Sequence, residues 1–277
     1  MNREDALKQS QAALDELAEA LAQGKSEQLM VYLEFLSRFH QYSFNNCLLI
    51  VVQRPDATHV AGFQRWKSLG RHVKKGEKGI LILAPIVRRR RAPDADVSLD
   101  DETSARVCGF RAAYIFDVAQ TEGDALPEFS HVSGDPGHRL KLLQAAVQRR
   151  GIELVYEASL GGADGRSEGG KIALRSGMVA AEEFAVMVHE FAHELLHRGE
   201  RRKETTRQIR ELEAEAVAFV VCRSVGLDAK ERSNDYIQLY SGDKERLLAS
   251  LDQIQRTAAE IIEAVSLPVN DESQIAA

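Results

Sequence analysis

The stretch 186–197, VMVHEFAHELLH, decides how this chain is read. His189 and His193 are four residues apart, and at about 3.6 residues per turn an α-helix stacks them on one face, so both imidazoles can reach one ion. Glu190 lies one step round from His189, beside the coordination position that a catalytic site leaves open. There it can take a proton from a water whose pKa zinc lowers to about 7. Val186, Val188, Phe191, Ala192 and Leu195 supply apolar packing for a dry setting. The pattern predicts a metallopeptidase-type site on a helix, with Glu190 as its catalytic proton acceptor.

Such a site needs a third protein ligand. His197 follows on the same helical face, but at about 1.5 Å rise per residue it lies roughly 12 Å along the axis from His189. It therefore reads as an outer or helix-end residue. The segment RELEAEAVAFVVC (210–222) is a better source. Glu211 and Glu215 share one face of that helix, and an acid facing Ala214, Val217, Ala218 and Val221 needs a partner. We expect Glu211 as the third metal ligand. Glu215, one turn on, is expected to accept a hydrogen bond from the second ring nitrogen of a ligand histidine. Glu204 and Glu213 read instead as a solvated acidic face. Two imidazoles and a carboxylate suit one divalent ion, zinc first, with manganese as the alternative. His131 and His138 have no ligand spacing.

Working outward, helical periodicity covers residues 4–22, 26–39, 43–53, 138–150, 182–197 and 204–225, with a short helix at 63–69. ILILAPIV (80–87) and VCGFRAAYIFDV (107–118) read as strands, as do 152–156 and 171–175. APDADVSLDDETSA (92–105) is acidic and aperiodic and reads as a mobile excursion between strands. TEGDALPEFSHVSGDPGH (121–138) reads as a linker and GGADGRSEGG (161–170) as a glycine-rich turn. The chain after about residue 230 shows no pattern that this reading uses. The fold class expected is α+β: N-terminal helices with a small antiparallel sheet, then a zincin-like metallopeptidase domain carrying the HExxH helix. The domains expected are 1–125 and 126–277.

The chain carries net charge −6, unevenly spread. Residues 57–91 hold ten Lys or Arg and one acid, Glu77, so this segment is +9 and the remainder −15. Local potential, not net charge, decides whether a polyanion is attracted. Single-strand binders combine a basic groove with aromatic platforms, because every nucleotide offers a phosphate and every base a π-face. Lys67, Arg71, Lys74, Lys75 and Lys78 surround Phe63 and Trp66, with Tyr42, Ser43 and Asn46 upstream. These are the DNA-binding candidates, although Trp66 reads equally well as a core plug between helix and sheet.

These residues carry two resemblances. HEFAHELLH followed by ELEAEAVAF resembles the gluzincin-like ImmA/IrrE metallopeptidases, whose third ligand is a glutamate in the position of Glu211. YSFNNCLLI (42–50), GFQRWKSLGRHVKKGEKGILILAP (62–85) and YIFDVAQTEG (114–123) resemble the ArdC antirestriction family. Its members join a single-stranded-DNA-binding domain to a metallopeptidase-like domain. The resemblance implies an antirestriction protein that binds single-stranded DNA and carries a metal-dependent peptidase site, with a restriction-system component or a protein substrate as further partner. Two alternatives stay open: a regulatory zinc endopeptidase cleaving a repressor or stress protein, and a DNA-binding protein with a non-catalytic metal site.

The bulk numbers frame these readings. Hydrophobic residues at 44% and charged residues at 28% are the balance of a soluble globular protein. No apolar run approaches the roughly 20 residues that cross a bilayer. MNREDALKQS has no apolar stretch of the secretory type, which points to the cytoplasm. Cys47, Cys108 and Cys222 are odd in number and far apart, which suits reduced thiols.

Overall fold

The structure, a computed structural model, describes residues 3–25, 27–89, 105–124, 135–227 and 243–266. The chain forms two compact units, Met1–Ala13 with Leu48–Pro127, and Leu14–Cys47 with Glu128–Ala277. Both early boundaries fall within helices, α1 (Arg3–Ala22) and α3 (Phe44–Gln53). Residues 14–47, which the sequence reading placed in a first domain, are thus part of the second unit. The acidic excursion lies outside the described residues up to Ala105, as do 125–134 of the expected linker, with His131.

The first unit is built on antiparallel pairing. β3 (Ile80–Arg89) and β4 (Ala105–Asp117) pair from Ile80↔Ile115 to Arg89↔Ala105, and β1 (Val60–Gly62) lies on the other edge of β4 with Gly62 opposite Ile115. The sheet order is β1-β4-β3. A second pair joins β2 (Arg71–Val73) to β5 (Thr121–Gly123), within the expected linker. Leu81 and Leu83 alternate onto one sheet face and pack with Ala6, Leu49 and Ala112. α4 (Phe63–Ser68) follows β1 directly.

A buried carboxylate holds the turn after β4. Asp117 accepts from the backbone of Thr58, His59 and Ala119, while its own N–H donates to Gln120 Oε1. Gln120 Nε2 donates to the Lys78 carbonyl (2.8 Å) and Glu77 (2.9 Å), and the Gln120 carbonyl accepts from Lys74 N. The basic turn 74–78 is therefore braced from beneath by buried groups.

The second unit carries a three-stranded sheet, order β6-β8-β7. β6 (Glu153–Glu157) runs parallel to β8 (Lys171–Arg175), and β7 (Gly165–Ser167) is an antiparallel edge strand inside the glycine-rich segment. α5 (Arg139–Arg149) and α6 (Ala180–Leu196) pack beside this sheet. α6 buries Phe184, Met187, Val188, Phe191, Ala192 and Leu196, the i, i+3, i+4, i+7 stripe of an amphipathic helix.

The helix expected at 204–225 forms over 207–224, and Glu204 instead closes a separate short helix. α7 (Glu200–Glu204) ends before Thr205, and α8 (Arg207–Ser224) starts under Thr206, whose Oγ accepts from Ile209 N at 3.2 Å. Threonine at an N-cap satisfies an amide that the helix leaves unpaired. α8 is buried almost all round from Leu212 to Cys222 and packs against α2 (Glu27–Arg38), α6 and α9 (Lys244–Ser266). The contact with α2 explains why residues 14–47 join this unit. α9 lies beyond the part of the chain that the sequence reading uses, and Leu247, Leu251, Ile254, Ala258, Ile261 and Val265 line its buried face. Among the described residues no helix is long and apolar enough to cross a membrane.

Candidate functional site

α6 presents His189 and His193 on one face, and α8 returns Glu211 to the same point. The two Nε2 atoms are 3.1 Å apart, and Glu211 Oε2 is 3.6 Å from His189 Nε2 and 3.5 Å from His193 Nε2. Ligand atoms each about 2.0–2.2 Å from a common ion are separated by roughly 3.3–3.6 Å if the ion is tetrahedral and about 2.8–3.1 Å for neighbouring ligands of an octahedral ion, and the observed separations span both ranges. The triangle therefore fits a divalent cation, and its size does not select zinc over manganese. Among the described residues these three form a group whose ligand atoms all lie within 4.8 Å of one another. The Glu211 side chain is half exposed (52%), so the site opens to solvent on that side.

Charge is distributed unevenly across the three. Burial opposes a charge on His189, but Glu211 and Glu215 outweigh it and hold the imidazole up at about 9. Burial and the neighbouring His189 charge push His193 down to about 4. The hydrogen bond from His189 holds Glu211 down at about 2. One charged and one neutral imidazole thus face a carboxylate, so a cation held by these three groups would take the place of the proton on His189.

Each of these two imidazoles has a partner at its other nitrogen. His189 Nδ1 lies 3.5 Å from Glu215 Oε2. His193 Nδ1 lies 3.1 Å from Nδ1 of His197, which caps α6, and His197 Nε2 lies 2.9 Å from Glu213 Oε2. A lone pair at His193 Nε2 requires the proton on Nδ1, which donates to His197 Nδ1. His197 then carries its proton on Nε2 and donates it to Glu213. One set of tautomers satisfies the whole chain.

Glu213 corrects the sequence reading, which left it in solvent. It is completely buried, and its Oε1 also accepts from Arg201 and from Ser250 Oγ, both at 2.6 Å. Burial alone would raise this carboxyl, but the donors from His197, Ser250 and Arg201 lower it.

Two further acids hold the sheet against α6. Glu190 is buried, and burial raises its carboxyl above the usual range, with His189 and Glu211 as charged neighbours. β7 approaches so closely that a Cβ at Gly165 would stand 2.6 Å from Val186 Cγ1 and 2.7 Å from Glu190 Cγ. Glu194, absent from the expected site, accepts from Ser167 Oγ, Gly169 N and Gly170 N, each at 2.7 Å, and from Arg198. The helical spacing of Glu194 from Glu190 was its only signal in the sequence.

The DNA-binding candidates divide. Trp66 is 2% exposed and its Nε1 donates to the Phe116 carbonyl at 2.8 Å, so it fills the core and offers no face to a base. Asn46 is buried as well. Tyr42 is half-buried, edge-on to Phe39, and its carbonyl accepts from Gln255. Tyr42, exposed Ser43 and Asn46 belong to the second unit, the others to the first. Arg71 is spent on Thr121, Gly123 and Asp124, bracing β2 to β5. Lys74 Nζ donates to the Ala119 carbonyl. Phe63, Lys67, Lys75 and Lys78 are exposed.

Comparison with known proteins adds three findings. Residues 7–116 match the family model of the N-terminal domain of anti-restriction factor ArdC. An uncharacterized protein of Bacillus anthracis, pXO2-81, is 24% identical over 293 residues, covering 88% of this chain and 49% of the relative. The chain thus spans about half the length of the curated relative it matches. Two crystal structures of the antirestriction ArdC protein from R388 plasmid share the fold. The metal-free one has TM-score 0.54 at 17% identity, covering 93% of this chain and 97% of that one. The Mn(II)-bound one has TM-score 0.51 at 18% identity, covering 93% and 98%.

Proposed function

We propose that this chain is an ArdC-like antirestriction protein that binds single-stranded DNA and holds one divalent cation, zinc or manganese, at His189, His193 and Glu211. The match of residues 7–116 to the N-terminal domain of an anti-restriction factor carries the reading. The basic turn with exposed Lys75 and Lys78, and Lys67 on α4, supply the charge that a polyanion requires. In this reading residues 1–125 serve DNA binding and 126–277 the metal site, although residues 14–47 pack within the second compact unit. The working place is the cytoplasm, where incoming DNA meets restriction enzymes, and a restriction-system component is the protein partner. The test is anisotropy of a labelled oligothymidylate over a salt series, beside elemental analysis of the purified protein. Tight binding at low salt that weakens steeply with salt is expected; no binding at low salt removes the DNA reading.

A second reading, a zincin-like peptidase in the same site, is favoured by the placement of Glu190. A bound divalent cation supplies Lewis acidity to a substrate carbonyl. Glu190, raised by burial and held against β7, is the group that accepts and returns the proton. Glu190→Gln separates the readings, because it removes a proton acceptor and leaves all three ligands. Loss of peptide hydrolysis with metal retained supports catalysis. If the metal-loaded wild type hydrolyses nothing, the site is non-catalytic and the DNA-binding function stands alone.

A further inference from the structure

We propose that Tyr114, with Phe63 beside it, is the base-stacking platform of the first unit, taking unpaired nucleotides; this rests on the single-stranded-DNA reading above. The sequence offers Trp66 for the role, and the structure removes it to the core. In the first unit Tyr114 is 46% exposed and Phe63 51% exposed, although both are large and apolar.

Their neighbourhood suits a single strand. β4 is central in its sheet, with Tyr114 opposite Leu81 on one side and Ile115 opposite Gly62 on the other. Phe63 directly follows Gly62, the last residue of β1 paired to β4, and opens α4 one position beyond the Gly62–Ile115 pair, Ile115 being the neighbour of Tyr114 in sequence. The Tyr114 ring lies across Gly79: a Cβ there would stand 2.9 Å from Tyr114 Cβ, 3.2 Å from Cδ1 and 3.1 Å from Phe116 Cζ. Gly79 directly follows Lys78, at the end of the turn that Gln120 braces. Phe63 opens α4, whose exposed Lys67 lies one turn on. Each exposed ring is thus tied to an exposed lysine, Tyr114 through Gly79 to Lys78 and Phe63 through α4 to Lys67, the pairing of base platform and phosphate charge that a single strand requires.

The platform is also preorganised. Tyr114 stands on a paired central strand, and Trp66 pins the adjoining Phe116 carbonyl. Rings already held in place lose little freedom when a base stacks on them. In duplex DNA the base faces are occupied by their neighbours, so this surface selects unpaired nucleotides.

The test uses the full chain, a fluorescent oligothymidylate and a salt series. Tyr114→Ala is expected to weaken binding on the order of 10- to 100-fold without changing the salt slope, while Tyr114→Phe stays near wild type. Lys78→Ala is expected instead to flatten the slope by about 0.7. Photo-crosslinking of the unmodified protein to an oligonucleotide carrying 5-iododeoxyuridine, mapped by mass spectrometry, reads the same contact without a substitution and is expected at Tyr114 or Phe63. If the wild type binds, Tyr114→Ala and Phe63→Ala stay within twofold and the crosslinks fall elsewhere, the platform is overturned and the DNA reading survives. If the wild type does not bind at low salt, both fall together.

Discussion

Replacing Glu213 with glutamine tests whether the buried chain behind His193 holds that proposed ligand in place. The Glu213 carboxylate receives three donors, His197 Nε2 at 2.9 Å and Arg201 and Ser250 Oγ at 2.6 Å. Glutamine keeps the shape but turns one oxygen into an NH2, so at least one of those donors meets another donor. The Arg201 guanidinium also loses its counter-charge. Breaking a buried ion pair from one side costs about 3–5 kcal/mol. The Arg201 side chain is 28% exposed, so water recovers part of this and we expect about 2–4 kcal/mol. At about 2–4 °C per kcal/mol for a chain of this size, Tm should fall by roughly 5–15 °C. Metal affinity should fall about 10- to 100-fold as His193 loses its fixed orientation. Thermal melts of cation-free protein read the first effect, and competition with a chromophoric chelator for Zn2+ or Mn2+ reads the second. Ser250→Ala is the control: it removes one neutral donor, costs about 1 kcal/mol, and leaves His197 on Glu213. A Glu213→Gln protein that melts within about 2 °C of wild type and binds metal as tightly would refute the argument.

Three shorter predictions follow from the same geometry. Zinc or manganese at about 100 times its Kd should stabilise the protein by about 2.7 kcal/mol, and His193→Ala or Glu211→Ala should abolish that shift in a thermal melt. In the cation-free protein His189 is held up at about 9, so it is charged at neutral pH and must release a proton when metal binds. Affinity should therefore rise with pH up to about 9 and level off above it. Calorimetry at pH 7 in two buffers of different ionisation enthalpy checks this, and identical heats would count against it. Gly165→Ala places a methyl 2.6 Å from Val186 Cγ1 and against Glu190, so it should cost about 1–3 kcal/mol in chemical denaturation.

Much of the fold is legible in the sequence because helical periodicity persists over several turns. α1, α2, α3, α5 and α6 lie close to where apolar spacing puts them, and strands such as 80–87 and 171–175 stand out as apolar runs. β1, β2, β5 and β7 are three residues each, too short to show an alternating pattern. α9 is different: its Leu247, Leu251, Ile254, Ala258 spacing is present in the sequence and is missed only by a reading that stops at Gly226. The residues proposed to meet DNA are the least legible. An aromatic amid lysines looks alike whether it plugs a core or awaits a base, and only burial, with the hydrogen bond from Trp66 to Phe116, separates Trp66 from exposed Tyr114.

The three acids of α8 show where spacing stops informing. At about 100° per residue, Glu211 and Glu215 share a face and Glu213 lies on the other side. Whether that other side is wet depends on elements the spacing does not mention: α7 brings Arg201 and α9 brings Ser250, and together they bury it. The two outer carboxylates should consequently behave differently although each stands behind one ligand imidazole. Glu215 is 28% exposed and 3.5 Å from His189 Nδ1, so water can replace much of what it supplies. Glu215→Gln should lower metal affinity by up to about 10-fold while moving Tm by no more than about 2 °C. Glu213→Gln should move both, because it also unpairs a buried charge. The ratio of lost affinity to lost stability then measures orientation apart from packing. If Glu215→Gln destabilised the protein as much as Glu213→Gln, the distinction between a wet face and a dry face of α8 would be wrong.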